Sequence, residues 1–75
     1  MEEKSQTISE KTIGAKIKVW RKKRELTQDS LSKKADLPYT TLAKIESDVI
    51  KNPSLQTITK IATGLEVSLD DLIHG

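Results

Sequence analysis

The chain has 75 residues, with 13 Lys or Arg against 11 Asp or Glu, one His, no Cys and no Phe. That length holds one domain with a thin stability margin, because so small a fold buries only about 60% of its unfolded surface. The composition excludes a disulfide framework and a thiolate metal site and argues against a His-based triad, since His74 is the sole imidazole.

No apolar run approaches the roughly 20 residues that span a bilayer. The start, Met1-Glu2-Glu3-Lys4, lacks the basic opening and apolar stretch of a signal peptide, and together with the lack of Cys this predicts a cytoplasmic protein. The net charge of +2 conceals an uneven distribution. Residues 16–34 carry Lys16, Lys18, Arg21, Lys22, Lys23, Arg24, Lys33 and Lys34 against Glu25 and Asp29, whereas residues 61–75 carry Glu66, Asp70 and Asp71 and no Lys or Arg. A basic half suggests a polyanion partner; a solvated helix face is the plainer alternative.

Residues 1–11 are polar apart from Met1 and Ile8 and read as a flexible tail, leaving 12–75 as the folded domain. Thr12 is a helix N-cap, and Ile13, Ile17 and Trp20 form one apolar stripe on a first helix that runs to about residue 24 and ends in a cationic turn. Trp20 continues that stripe and is therefore assigned to the core. Thr27 caps a second helix over about 28–34, with Leu26 packing back as a staple and Leu31 and Ala35 facing inward. Asp36 is a left-handed stop, and Pro38 suits the entrance of a third helix over about 39–46, with Leu42 and Ile45 inward. Tyr39, Thr40, Thr41 and Lys44 are left outside or on its rim.

Residues 47–53 form a loop. Ser54 caps a fourth helix whose apolar stripe is Leu55, Ile58, Ile61 and Ala62. Ser68-Leu69-Asp70-Asp71 is a capping signature that opens a fifth helix over 69–73. Asp70 and Asp71 are adjacent, so they diverge by about 100° on a helix and serve its start rather than forming an acid–base pair. His74 reads as a tail residue. The expected class is all-α, with five helices and no strand.

The second helix, a tight turn and the third helix make a helix-turn-helix. Packing of Leu31, Ala35, Leu37, Leu42 and Ile45 leaves the outer face of the third helix free to enter a groove about as wide as a helix. No acidic residue lies between Asp36 and Glu46 to repel phosphate.

The register Ile13-Gly14, Ile17, Trp20-Arg21, Leu26-Thr27-Gln28, Leu31, Leu37-Pro38-Tyr39-Thr40-Thr41-Leu42 and Lys44-Ile45-Glu46 resembles the Cro/C1-type (XRE) helix-turn-helix family. The run from Asn52-Pro53-Ser54-Leu55 to Asp70-Asp71-Leu72 is similar to the closing helices of that family, so the resemblance covers about residues 12–73. It implies a five-helix lambda-repressor-like domain acting as a sequence-specific, double-stranded-DNA-binding transcriptional regulator, a repressor, usually dimeric, with the third helix in the major groove. Carried over by position, Gln28 binds phosphate and braces the first residue of that helix. Tyr39, Thr40 and Lys44 occupy base-facing positions, and Thr41 joins Thr40 as a contact to a thymine methyl or a phosphate. Ser47, Lys51 and Asn52 clamp the second backbone strand. The Tyr39 hydroxyl either meets a phosphate or merely packs beside Pro38.

Arg21 and Glu46 match a paired position between the first and third helices, read as a structural fork. The family often has Gly or Asn after the second, third and fourth helices. Asp36, Asp48 and Glu66 stand there in this chain, and Glu in left-handed geometry costs roughly 1 kcal/mol against Gly. Ser32 stands where Ala is usual. The resemblance places a dimer surface on the fifth helix and the corner before it, at Leu65, Val67, Leu69, Leu72 and Ile73, side chains that must also close the monomer core.

The competing reading is a protein-interaction module on the same fold, an antitoxin-like domain or an adaptor, suggested by the weakly charged outer face of the third helix and the acidic end of the chain. A further protein partner, or a sensor domain in a longer parent chain, stays open. An enzyme would need a nucleophile–base pair, metal ligands or a glycine-rich phosphate loop, none of which the sequence offers, so no cofactor or metal is expected.

Overall fold

Hydroxyl caps open four of the five helices among the described residues. The Thr12 side chain accepts from the Ala15 N–H at 3.1 Å, Thr27 from Ser30 at 3.0 Å, Ser54 from Thr57 at 3.2 Å and Ser68 from Asp71 at 2.9 Å. The resulting elements of the computed structural model, which describes residues 12–74, are α1 Ile13–Lys23, α2 Gln28–Lys34, α3 Tyr39–Glu46, α4 Leu55–Leu65 and α5 Leu69–His74. The expected N-terminal tail, residues 1–11, lies outside the described residues. Helix α3 alone is led in by a proline: Pro38, with φ of −61°, sits at its N-cap without a side-chain cap.

The helix ends share one device. After α1, α2, α3 and α4 the chain turns through a left-handed residue, Glu25, Asp36, Asp48 and Glu66, with φ of 58°, 57°, 67° and 62°. In each case the next N–H reaches back five residues: Leu26 to the Arg21 carbonyl at 2.9 Å, Leu37 to Ser32 at 2.9 Å, Val49 to Lys44 at 2.9 Å and Val67 to Ala62 at 3.0 Å. Leu26, Leu37 and Val67 are thereby folded onto the core. After α3 that place is taken by Ile50, whose N–H also bonds to Lys44, while Val49 is 70% exposed. Sequence reading anticipated three of these turns, at the positions where the family often has Gly or Asn, but not the one at Glu25, where the residue type gives no such signal: Glu is a poor left-handed residue and a negative charge at a helix C-terminus opposes the dipole. Glu25→Gly is therefore expected to stabilise the domain by about 1 kcal/mol, read as a rise in melting temperature of roughly 4–8 °C.

The core is continuous. Ile17 of α1, Leu31 of α2, Leu42 and Ile45 of α3, Ile61 and Leu65 of α4 and Leu72 of α5 are fully buried. Ile13, Trp20 and Ile58 pack around them half-buried. Helix α2 packs on α3 and α4, and α1 packs on α3, α4 and α5.

Two expectations are corrected. Leu55 does not face inward but is 67% exposed, so the α4 stripe starts at Ile58. Leu55 is the first residue of the helix, and helical side chains lean toward the N-terminus, which carries this one past the end of the packed layer. His74 is the last residue of α5 rather than a tail, with its Nε2 3.6 Å from an Asp70 carboxylate oxygen one turn back. As expected of side chains that must also close the monomer, Leu65 and Leu72 are buried in its core, and Val67, Leu69 and Ile73 are partly accessible. Among the described residues, no helix is long and apolar enough to cross a membrane.

Candidate nucleic-acid interface

Helix α3 is held from behind and open in front. Leu42 and Ile45 are fully buried and Glu46 is buried, whereas Tyr39, Thr40, Lys44 and Ser47 are exposed and Thr41 is half-buried. An eight-residue helix is about 12 Å long, so this outer face is a short rod of small, neutral and cationic side chains.

A polar relay fixes where that rod points. Arg21 grips Glu46 in two parallel bonds, Nε to Oε2 at 2.9 Å and Nη2 to Oε1 at 3.0 Å, while its Nη1 donates to the Leu26 carbonyl at 2.9 Å. Gln28, at the start of α2, donates from Nε2 to Glu46 Oε1 at 3.1 Å. The Tyr39 hydroxyl donates to Gln28 Oε1 at 3.1 Å. Helices α1, α2 and α3 are thus tied together through one buried carboxylate. Such a network specifies geometry more than it adds net stability, because desolvation of the charges offsets much of their attraction.

Gln28 stands against Tyr39, the first residue of α3. Its carbonyl and one amide N–H are engaged inside the protein, which leaves the second amide N–H as the donor this side chain can offer a phosphate. At the other end of α3, the Ser47 hydroxyl donates to the Lys44 carbonyl at 3.3 Å, and the N–H groups of Val49 and Ile50 converge on the same oxygen. This folds the loop back under α3. Lys51 and Asn52 are exposed and line, with Ile13, Lys16, Pro53, Ile58 and Ile73, an open groove of about 290 Å³. The structure therefore gathers Gln28 and Tyr39 at the start of α3, sets Lys44 and Ser47 at its end, and places Lys51 and Asn52 at the α1–α5 groove.

Trp20 packs against the core, and the Lys23 ammonium lies 4.9 Å from its ring centroid. Sequence reasoning missed one contact with consequences for the site. Asp48 turns a buried Oδ1, without a hydrogen-bond partner, toward Gly14 in the first turn of α1. A glycine within an otherwise regular helical stripe was the only signal of so close an approach.

A helix-turn-helix family model matches residues 17–72. The chain belongs to the Cro/C1-type (XRE) helix-turn-helix family. The immunity repressor protein of Bacillus phage phi105 is 42% identical over 62 residues, which are 83% of this chain and 42% of that protein. The HTH-type transcriptional regulator SinR of Bacillus subtilis is 34% identical over 61 residues, 81% of this chain and 55% of SinR. This member of the helix-turn-helix family thus spans about half or less of the length of these curated relatives. A solved structure of SinR in complex with DNA, where SinR is described as the master regulator for biofilm formation, superposes with a TM-score of 0.78 at 34% identity, covering 83% of this chain and 98% of that one.

Proposed function

We propose that the chain is the sequence-specific, double-stranded-DNA-binding domain of a transcriptional regulator, a repressor, with α3 lying in the major groove. The observation that carries the reading is the two-sidedness of α3: Leu42, Ile45 and Glu46 lock it from within, while Tyr39, Thr40 and Lys44 are presented to solvent. Family membership, the phage repressor and the DNA-bound SinR support it.

In this reading Lys44 reads guanine N7 and O6, and Thr40 and Thr41 meet a thymine methyl or a phosphate. Ser47, Lys51 and Asn52 hold the backbone beyond the end of α3. Gln28 braces Tyr39 and turns its second amide N–H to a phosphate. Arg21 and Glu46 orient α3. The folded unit is residues 12–75, it works in the cytoplasm on DNA, and it has no catalytic role. As a homodimer on its operator it would set two recognition helices roughly 34 Å apart, one turn of the duplex.

The test is fluorescence anisotropy on duplexes selected from a random pool, read at several salt concentrations. Affinity is expected to fall with a log–log slope of about −0.9 per phosphate contacted, and Lys44→Ala to cost about 1–3 kcal/mol on the selected site. Absent or salt-insensitive binding would refute the reading. The second reading, a protein-interaction module, draws on the large apolar side chains left at the surface, Val49 and Leu55. A stoichiometric protein partner captured without any DNA protection would favour it.

A further inference from the structure

The hydrogen-bond relay behind α3 has a direction, and that direction ends at the Tyr39 hydroxyl. Arg21 has only donors, so the Glu46 carboxylate it grips can only accept. The Gln28 group against Glu46 Oε1 must then be the amide N–H₂, since the opposite orientation would press oxygen against oxygen. This leaves the Gln28 carbonyl facing Tyr39, and a carbonyl only accepts. A phenol has a single proton, and at 3.1 Å from Gln28 Oε1 it is committed there. What the hydroxyl offers outward is lone-pair density alone.

Tyr39 is half exposed and is the first residue of α3, so in the DNA-binding reading, on which this inference rests, its hydroxyl faces the duplex. Phosphate oxygens, guanine N7 and O6 and thymine O4 are all acceptors. A hydroxyl with no proton to give cannot bond to any of them. The donors on the major-groove edge are the exocyclic amines, N6 of adenine and N4 of cytosine.

We infer that Tyr39 is an acceptor-only specificity residue, selecting adenine or cytosine over guanine or thymine on the strand it faces, with its polarity set by the Arg21–Glu46–Gln28 relay. This replaces the phosphate contact that the sequence suggested for its hydroxyl. A tyrosine free of Gln28 would turn its proton to a phosphate and read nothing.

The experiment is selection of duplexes from a random pool with the wild-type protein and with Tyr39→Phe, which removes the exposed hydroxyl and its bond to Gln28 and leaves the ring in place. One base position should lose its preference in the variant. At that position the base is then replaced by its amine-deleted form, purine for adenine or 2-pyrimidinone for cytosine, and both proteins are titrated on both duplexes. Removing the amine is expected to weaken wild-type binding roughly three- to tenfold, the range for one net hydrogen bond, and to leave Tyr39→Phe unaffected. Equal losses in the two proteins overturn the inference, as does a coupling of Tyr39 to a methylphosphonate-substituted phosphate instead. If the wild-type protein retains no duplex at all, the DNA-binding reading itself falls; a selected site without coupling to the amine removes only the role of Tyr39.

Discussion

Arg21→Ala is expected to lower stability by about 3–5 kcal/mol, a large share of what holds a domain of this size folded. The reason lies in what the substitution leaves behind. The Glu46 side chain is 1% accessible and Arg21 supplies two of the three hydrogen bonds its carboxylate receives, the third coming from Gln28. Without Arg21 a buried carboxylate keeps one neutral donor and cannot reach water. Glu46→Ala should cost less: the Arg21 side chain is 14% accessible and keeps its bond to the Leu26 carbonyl. Urea denaturation of both variants gives the comparison, provided the slopes match. An Arg21→Ala midpoint at or above that of Glu46→Ala would show that the stranded carboxylate is not what governs the loss.

Gly14→Ala is expected to cost about 3 kcal/mol and to lower the melting temperature by roughly 10–20 °C, at the upper end of what overpacking does. Alanine is the better helix former by nearly 1 kcal/mol, so propensity alone predicts the opposite sign. The difference is steric. A β-carbon on Gly14 would fall well inside contact distance of the Ile45 carbonyl oxygen and 3.0 Å from Asp48 Oδ1. The carbonyl cannot swing away, because it accepts the Asp48 N–H in the turn that ends α3. Helix α1 would have to withdraw from α3 and loosen the packing of Ile17. A thermal melt decides the sign; an unchanged or higher melting temperature would show that the α1–α3 contact yields freely. The same contact gives Asp48 a purpose in a turn that glycine would suit better, since its carboxylate lies against the first turn of α1, where the helix dipole favours an anion.

Much of the fold was legible in residues that act locally. Thr12, Thr27 and Ser54 mark helix starts because a short hydroxyl can reach a free N–H three residues on, whatever surrounds it. Leu31, Leu42, Ile45 and Ile61 announced themselves as core by helical spacing. The outward face of α3 followed from the same periodicity. Leu55 did not follow, because periodicity says which face a residue lies on but not where along that face the neighbouring helices stop. Glu25 was missed because its left-handed turn is held by packing of Leu26 onto the core against its own preference. For the site, the Arg21–Glu46 pairing and the bracing of Tyr39 by Gln28 were visible through family resemblance, but not the bond from Gln28 to Glu46 that joins them into one relay.

By itself, the order of caps, apolar stripes and turn residues determined five helices among the described residues, with a helix-turn-helix over 28–46, because each of these signals acts within a few residues of where it is written. Tertiary structure decided which side chains are already spent. Gln28 and Tyr39 lie eleven residues apart in sequence and Arg21 and Glu46 twenty-five. Whether a polar atom faces DNA as donor, as acceptor or not at all depends on partners that only folding brings within 3 Å or so of it.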